Sequence, residues 1–189
     1  MKAIILDMYG VIVKQTGDDF VPYVQQTFPN LNPEEICKPW NKADMGEVTS
    51  LDVWAALGFQ GDLEKIEQEY LDTIELNDGF LGFIEAVRKK YKLAILLNDS
   101  SRWSKYLREK FNINQYFDVI SISGDLKIRK PDERIFLFTM EKLAVKPEYL
   151  RIFPLLLTGS NPLSRAVDSS NGGTATRYAM WRQCLQMSW

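Results

Sequence analysis

The chain has 189 residues, 46% hydrophobic and 25% charged, with a formal net charge of −2 at pH 7. That length suits one domain with a small insertion and a real core, and the charge balance gives no electrostatic reason to expect nucleic acid or an anionic membrane as partner. There is no histidine, which excludes triads and metal clusters built on imidazole and leaves the chemistry to carboxylates, amines and hydroxyls.

Taken in chain order, Met1-Lys2 leads into a short apolar run over residues 3–6, too short for a secretory leader. The run ends in Asp7, as a buried parallel strand would, and Tyr9-Gly10 turns the chain. Residues 18–76 carry apolar positions at helical spacing and no strand-like alternation, so residues 15–77 read as a helical insertion. Asn32-Pro33-Glu34-Glu35 and Thr49-Ser50-Leu51-Asp52 are helix starts, and Gly58 and Gly61 are stops. Asn77-Asp78-Gly79 turns into a helix over residues 80–90. A second buried strand is expected at 93–97, followed by a helix capped from Asn98-Asp99-Ser100-Ser101. A third strand is expected at 117–122, then a polar loop to Lys130, a helix opened by Pro131 and running to Leu143, and a fourth strand starting at Ile152-Phe153. No apolar run is long enough to cross a bilayer. Cys37 and Cys184 lie far apart and in no CxxC pair, so neither a disulfide framework nor a zinc site is expected and a reducing cytoplasm is the default setting.

Strand–helix alternation of this kind predicts an α/β fold, a Rossmann-like three-layer parallel sheet core with a helical insertion. Ligands in such sheets bind beyond the carboxyl ends of the strands, where Asp7, Asn98 and the loop to Lys130 all fall. After Arg151 the composition changes: fourteen lysines precede it and none follow, and Asp168 is the only acid in the last 38 residues. Residues 158–189 therefore read as an atypical tail, either frameshifted or poorly ordered, which leaves the sheet core incomplete at its C-terminal end.

Three segments carry a family resemblance. Asp7-Met8-Tyr9-Gly10-Val11 after the first strand, Lys92 to Asp99 with Asn98 at the strand end, and Gly124 to Asp132 with Lys130-Pro131-Asp132 resemble, in order, the first three motifs of the haloacid dehalogenase superfamily. The resemblance covers residues 1–151 and implies a core of residues 1–14 and 78–157 under a helical cap, residues 15–77. It further implies that Asp7 is a covalent nucleophile, a known role for carboxylates. Lys130 would pair with Asp7 and the substrate anion, and Asn98 would orient the substrate. The substrate it implies is a small anion, either a phosphate monoester or a 2-haloacid.

The departures from the pattern bear on the substrate. Tyr9 stands where the phosphatases have their acid/base aspartate, and a phenol with a reference pKa of about 10 is a poor base at neutral pH. Haloacid dehalogenases carry a tyrosine there, as suits a halide that leaves without a proton. Those enzymes, however, use a cap arginine, and Arg88 is the first arginine in this chain. Leu97 replaces the second motif's hydroxyl residue, with Ser100 a candidate to replace that hydroxyl in substrate binding. The resemblance implies Mg²⁺, yet no carboxylate lies between Glu148 and Asp168, where an acidic pair should complete its oxygen ligands. Asp7 remains as a weak metal ligand. The alternative is a catalytically inactive protein on this scaffold, or a degraded gene product.

Overall fold

A computed structural model describes residues 2–16 and 19–153. The first strand, β1 (Ala3–Leu6), is followed by four helices with no strand between them. These are α1 (Phe20–Thr27), α2 (Pro33–Asp44), α3 (Ser50–Ala56) and α4 (Leu63–Asp72). Then come α5 (Phe80–Val87), β2 (Lys92–Leu97), α6 (Ser101–Lys110), β3 (Val119–Ile122), α7 (Ser123–Leu126), α8 (Glu133–Leu143) and β4 (Leu150–Phe153). The expected tail, residues 158–189, lies outside the described residues.

The four strands form one parallel sheet in the order β3-β2-β1-β4. Alternate residues of β1 and β2 feed two separate cores, which is why the strands read as unbroken apolar runs. Ile4, Leu6, Leu93, Ile95 and Leu97 pack with Ile84 of α5, Leu107 of α6 and the insertion. Ala3, Ile5, Ala94 and Leu96 pack on Ile135, Phe136 and Leu143 of α8. Three layers result. The chain steps outward from β1 to β3 and then returns to place β4 on the other side of β1. The strand order therefore reverses beside β1, and the crevice beyond its carboxyl end is where such sheets bind ligands.

Local chemistry sets the boundaries. Asn32 and Thr49 each close a reciprocal capping box, with Glu35 and Asp52 respectively, as their spacing predicts. Pro131 does not open α8: Asp132 is the N-cap, its carboxylate accepting from Arg134 N, and the helix starts at Glu133. β3 begins two residues later than expected because Asn114–Tyr116 forms a short 3₁₀ turn.

The two crossings between sheet and insertion run side by side. Asn77 Nδ2 donates to the carbonyls of Val11 and Val13 at 3.0 and 3.1 Å, and Lys14 N donates to Glu75 O at 2.9 Å. Lys110 Nζ, at the end of α6, donates to the carbonyls of Leu71, Asp72 and Ile74 at 2.8–3.0 Å, pinning the end of α4 to the sheet layer. Phe20, Trp54 and Tyr70 of the insertion and Trp103 of α6 stack edge to face or tilted. Buried Glu67 accepts from both indoles, Trp54 Nε1 at 3.2 Å and Trp103 Nε1 at 2.7 Å, and pairs with Arg102. Trp54 and Trp103 are thus packing residues, as their helical spacing suggests.

Candidate active site

The loop after β1 is tight. Met8 O accepts from the amides of Val11, Ile12 and Val13 at 2.8–3.3 Å, and Gly10 takes a positive φ of 69° that disfavours a side chain. Met8, Val11, Ile12 and Val13 are thereby buried, while Asp7 and Tyr9 face the crevice half-buried. Asp7 Oδ1 accepts from Met8 N at 2.9 Å. Its Oδ2 meets Lys130 Nζ at 2.6 Å, with the two side chains only 18% and 16% exposed. The expected contact between Asp7 and the Lys130 ammonium is therefore present in the geometry.

Lys130 is held there by Asn98. The Asn98 amide accepts from Lys130 N at 2.7 Å and donates to Lys130 O at 3.0 Å, so the end of β2 grips the backbone of the third-motif loop. Ser100 is buried as the N-cap of α6, its hydroxyl accepting from Trp103 N at 3.3 Å. Leu97 is buried in the core.

Tyr9 donates its hydroxyl to Asp99 Oδ2 at 3.2 Å. Burial, and next the Asp99 charge, push the Tyr9 phenol well above its ordinary range. Asp99 is fully buried, its Oδ1 accepting from Ser100 N at 2.8 Å. Burial and the neighbouring Asp44 charge push the Asp99 carboxyl well above the usual carboxylate range, against the pull of the Ser100 amide and the Tyr9 hydroxyl.

Asp44 comes from the last turn of α2, in the insertion, and is 3% exposed. Its Oδ2 faces Arg129 Nη2 at 3.5 Å, and Arg129 Nη1 donates to Asn41 Oδ1 at 3.0 Å. Burial pushes the Asp44 carboxyl up to about 6, while Arg129 and Lys130 pull it down. Directly beyond α2 the backbone of the insertion meets that of the sheet layer. A Cβ on Gly46 would lie 2.3 Å from Gly124 O, and one on Gly124 would lie 2.8 Å from Asp99 O. Glycine at 46 lets the end of α2 dock on α7, and glycine at 124 lets α7 approach the start of α6.

Asp44, Asp99 and Arg129 are the residues the motif reading missed. A signal existed for Asp44: an acid in the last turn of a helix opposes the dipole there, so its position needs a reason outside the helix. Arg129 lies outside the arginine-free insertion and reaches it from the sheet layer, so its position in the sequence does not mark it as a partner of α2.

Comparison with known proteins bears on the family and the fold. A family model for haloacid dehalogenase-like hydrolases matches residues 1–149. The phosphorylated carbohydrates phosphatase of Thermotoga maritima is 26% identical over 167 residues, 81% of this chain and 76% of that protein. The pyrimidine 5'-nucleotidase YjjG of Escherichia coli is 29% identical over 98 residues, which is 52% of this chain and 42% of that protein. Among solved structures, a HAD-family enzyme of Bacteroides thetaiotaomicron superposes with a TM-score of 0.69 at 17% identity, covering 80% of this chain and 83% of that one. Another structure of that enzyme, at TM-score 0.66, carries magnesium and inorganic phosphate. An L-2-haloacid dehalogenase of Xanthobacter autotrophicus with chloropropionic acid covalently bound superposes at 0.58, with 18% identity over 80% of this chain and 69% of that one. At these identities the solved structures speak for the fold, and the family match over residues 1–149 places the chain in the haloacid dehalogenase-like hydrolase family.

Proposed function

We propose that this hydrolase cleaves small phosphate monoesters through a covalent aspartyl-phosphate on Asp7, under a cap formed by residues 15–77. The observation that carries the reading is the 2.6 Å contact of Asp7 Oδ2 with Lys130 Nζ at the strand ends. It sets a carboxylate nucleophile beside a cation that offsets the charge of an arriving phosphoryl group. The phosphatase names of the Thermotoga and Escherichia relatives favour a phosphate ester over a haloacid.

Asn98 acts in this reading by positioning Lys130, and Ser100 by starting α6 beside it. The cysteine usage keeps a reducing cytoplasm as the proposed location. Among the described residues no helix is long and apolar enough to span a membrane. A resident Mg²⁺ does not fit the groups described. An octahedral site needs several hard oxygens, yet no group of three acidic, cysteine or histidine side chains is assembled among the described residues, and Asp7 Oδ2 is held by Lys130. The proposal therefore routes no step through a metal.

The test is phosphate release from a panel of phosphate monoesters, with 2-chloropropionate as the competing substrate. We expect phosphate release that Asp7→Asn abolishes, since an amide neither attacks nor carries charge, and that chelation with EDTA reduces far less. Chloride release without phosphate release would transfer the reading to a dehalogenase. Turnover that survives Asp7→Asn, or that depends strictly on Mg²⁺, would remove this mechanism. An inert protein with an intact fold would leave the inactive-scaffold alternative.

A further inference from the structure

Displacement at phosphorus is roughly in line. Asp7 enters on one side and the leaving oxygen departs on the other, which in the proposed arrangement is the side of the insertion. An alkoxide leaving there needs a proton, and the loop after β1 does not offer one. The Tyr9 hydroxyl is donated to Asp99, and the Lys130 ammonium is spent on Asp7.

Three carboxylates are buried among the described residues: Asp44, Glu67 and Asp99. Glu67 is occupied by two indoles and Arg102. Asp99 has one oxygen on Ser100 N and the other on the Tyr9 hydroxyl. Asp44 keeps its Oδ1 buried with no partner among the described residues, a costly arrangement unless something else fills that bond. Its Oδ2 is fixed by Arg129, next in sequence to Lys130, and Arg129 is itself anchored to Asn41. Lys130, Tyr9 and Asp99 all lie within range of its charge.

We propose that Asp44 is the acid that hands a proton from Oδ1 to the leaving oxygen, taking over from the insertion the role that Tyr9 cannot fill two residues after Asp7. The proposal rests on the phosphate-monoester reading above. In the first step Asp7 Oδ2 forms a bond to phosphorus, the bond from phosphorus to the ester oxygen breaks, and that oxygen takes the Asp44 proton to leave as an alcohol. Asp44 remains as a carboxylate paired with Arg129. In the second step water adds to phosphorus, Asp44 takes up the water's proton, and the Asp7–phosphorus bond breaks. Inorganic phosphate leaves and both carboxyls return to their starting states. A carboxyl held near 6 exchanges protons readily in both directions at neutral pH.

The test uses the full chain with two substrates, glycerol 2-phosphate, whose alkoxide needs a proton, and 4-nitrophenyl phosphate, whose phenolate does not. We expect Asp44→Asn to slow the first by about 10²–10⁴-fold. The loss in the 4-nitrophenolate burst should be smaller by at least about tenfold, and Asp44→Glu should recover part of the alkyl activity. Equal losses on both substrates would overturn the proposal and leave Asp44 a seam residue only. A wild-type chain that releases phosphate from neither would overturn the phosphate-ester reading itself. Should Asp44→Asn not fold, the wild-type rates across phosphates of rising leaving-group basicity decide. A shallow dependence supports a protonated leaving oxygen, and a steep one overturns it.

Discussion

Asp44 also makes a thermodynamic demand on the fold. Its carboxyl titrates near 6 in the folded chain and near about 3.9 when unfolded. Between those values the folded state binds more protons, so the group's burial is harmless at low pH and costs stability as pH rises through 6. The difference amounts to about 3 kcal/mol at most. Asp44→Asn is therefore expected to be more stable than the wild type at pH 8 and to lose that advantage as pH falls toward 4. Urea unfolding at several pH values checks this, and a wild type that is the more stable at pH 8 would show that the Arg129 pair outweighs the burial of the charge. Asn98 makes the complementary point. Its place at the end of β2 can be read from the sequence, but its use cannot, because the Lys130 backbone it grips arrives from 32 residues away.

The contact between α2 and α7 depends on Gly46, which has no side chain to place between the backbones. Gly46 has φ 64°, and its missing Cβ would strike Gly124 O at 2.3 Å. Gly46→Ala must shift one backbone against the other as well as strain its own conformation, at a cost of about 1–3 kcal/mol. It should lower the unfolding midpoint and draw Asp44 away from Arg129, weakening the pH dependence described for Asp44. An unchanged midpoint would show that the insertion does not dock through this contact. The helix starts at Asn32 and Thr49 were open to sequence reading because a capping box lies within four residues. The glycine approach was not, because its partners are 78 residues apart.

Across the whole molecule, the insertion and the sheet layer share one core cluster, running from Trp54 and Tyr70 to Leu97 and Ile84, and Lys110 ties the end of α4 to α6 through three carbonyls. The wild type should therefore unfold in one transition. Lys110→Met keeps the apolar stem but leaves those carbonyls without their donor, a loss of about 1–3 kcal/mol. Amide exchange resolved to α1–α4 reports on the insertion and circular dichroism on the whole chain, so their urea midpoints should coincide in the wild type and separate in the variant. Coincident midpoints in both would mean that the shared apolar core alone couples the two parts.

By itself the sequence determined what depends on neighbours along the chain. Apolar runs ending in Asp7 and Asn98 mark buried parallel strands, capping residues mark the insertion's helices, and three segments in order mark the family. The contact of Lys130 with Asp7 was also open to it, because the family pattern ties the two together. Only the tertiary structure decided the remaining site. Asp44 and Arg129 meet because α2 docks against α7, which leads into the loop that carries Arg129, and the same docking brings the Asp44 charge within range of Asp99. Burial and electrostatic contact depend on that long-range packing, so no reading of adjacent residues could assign the free oxygen of Asp44, the anchored Arg129 or the occupied hydroxyl of Tyr9.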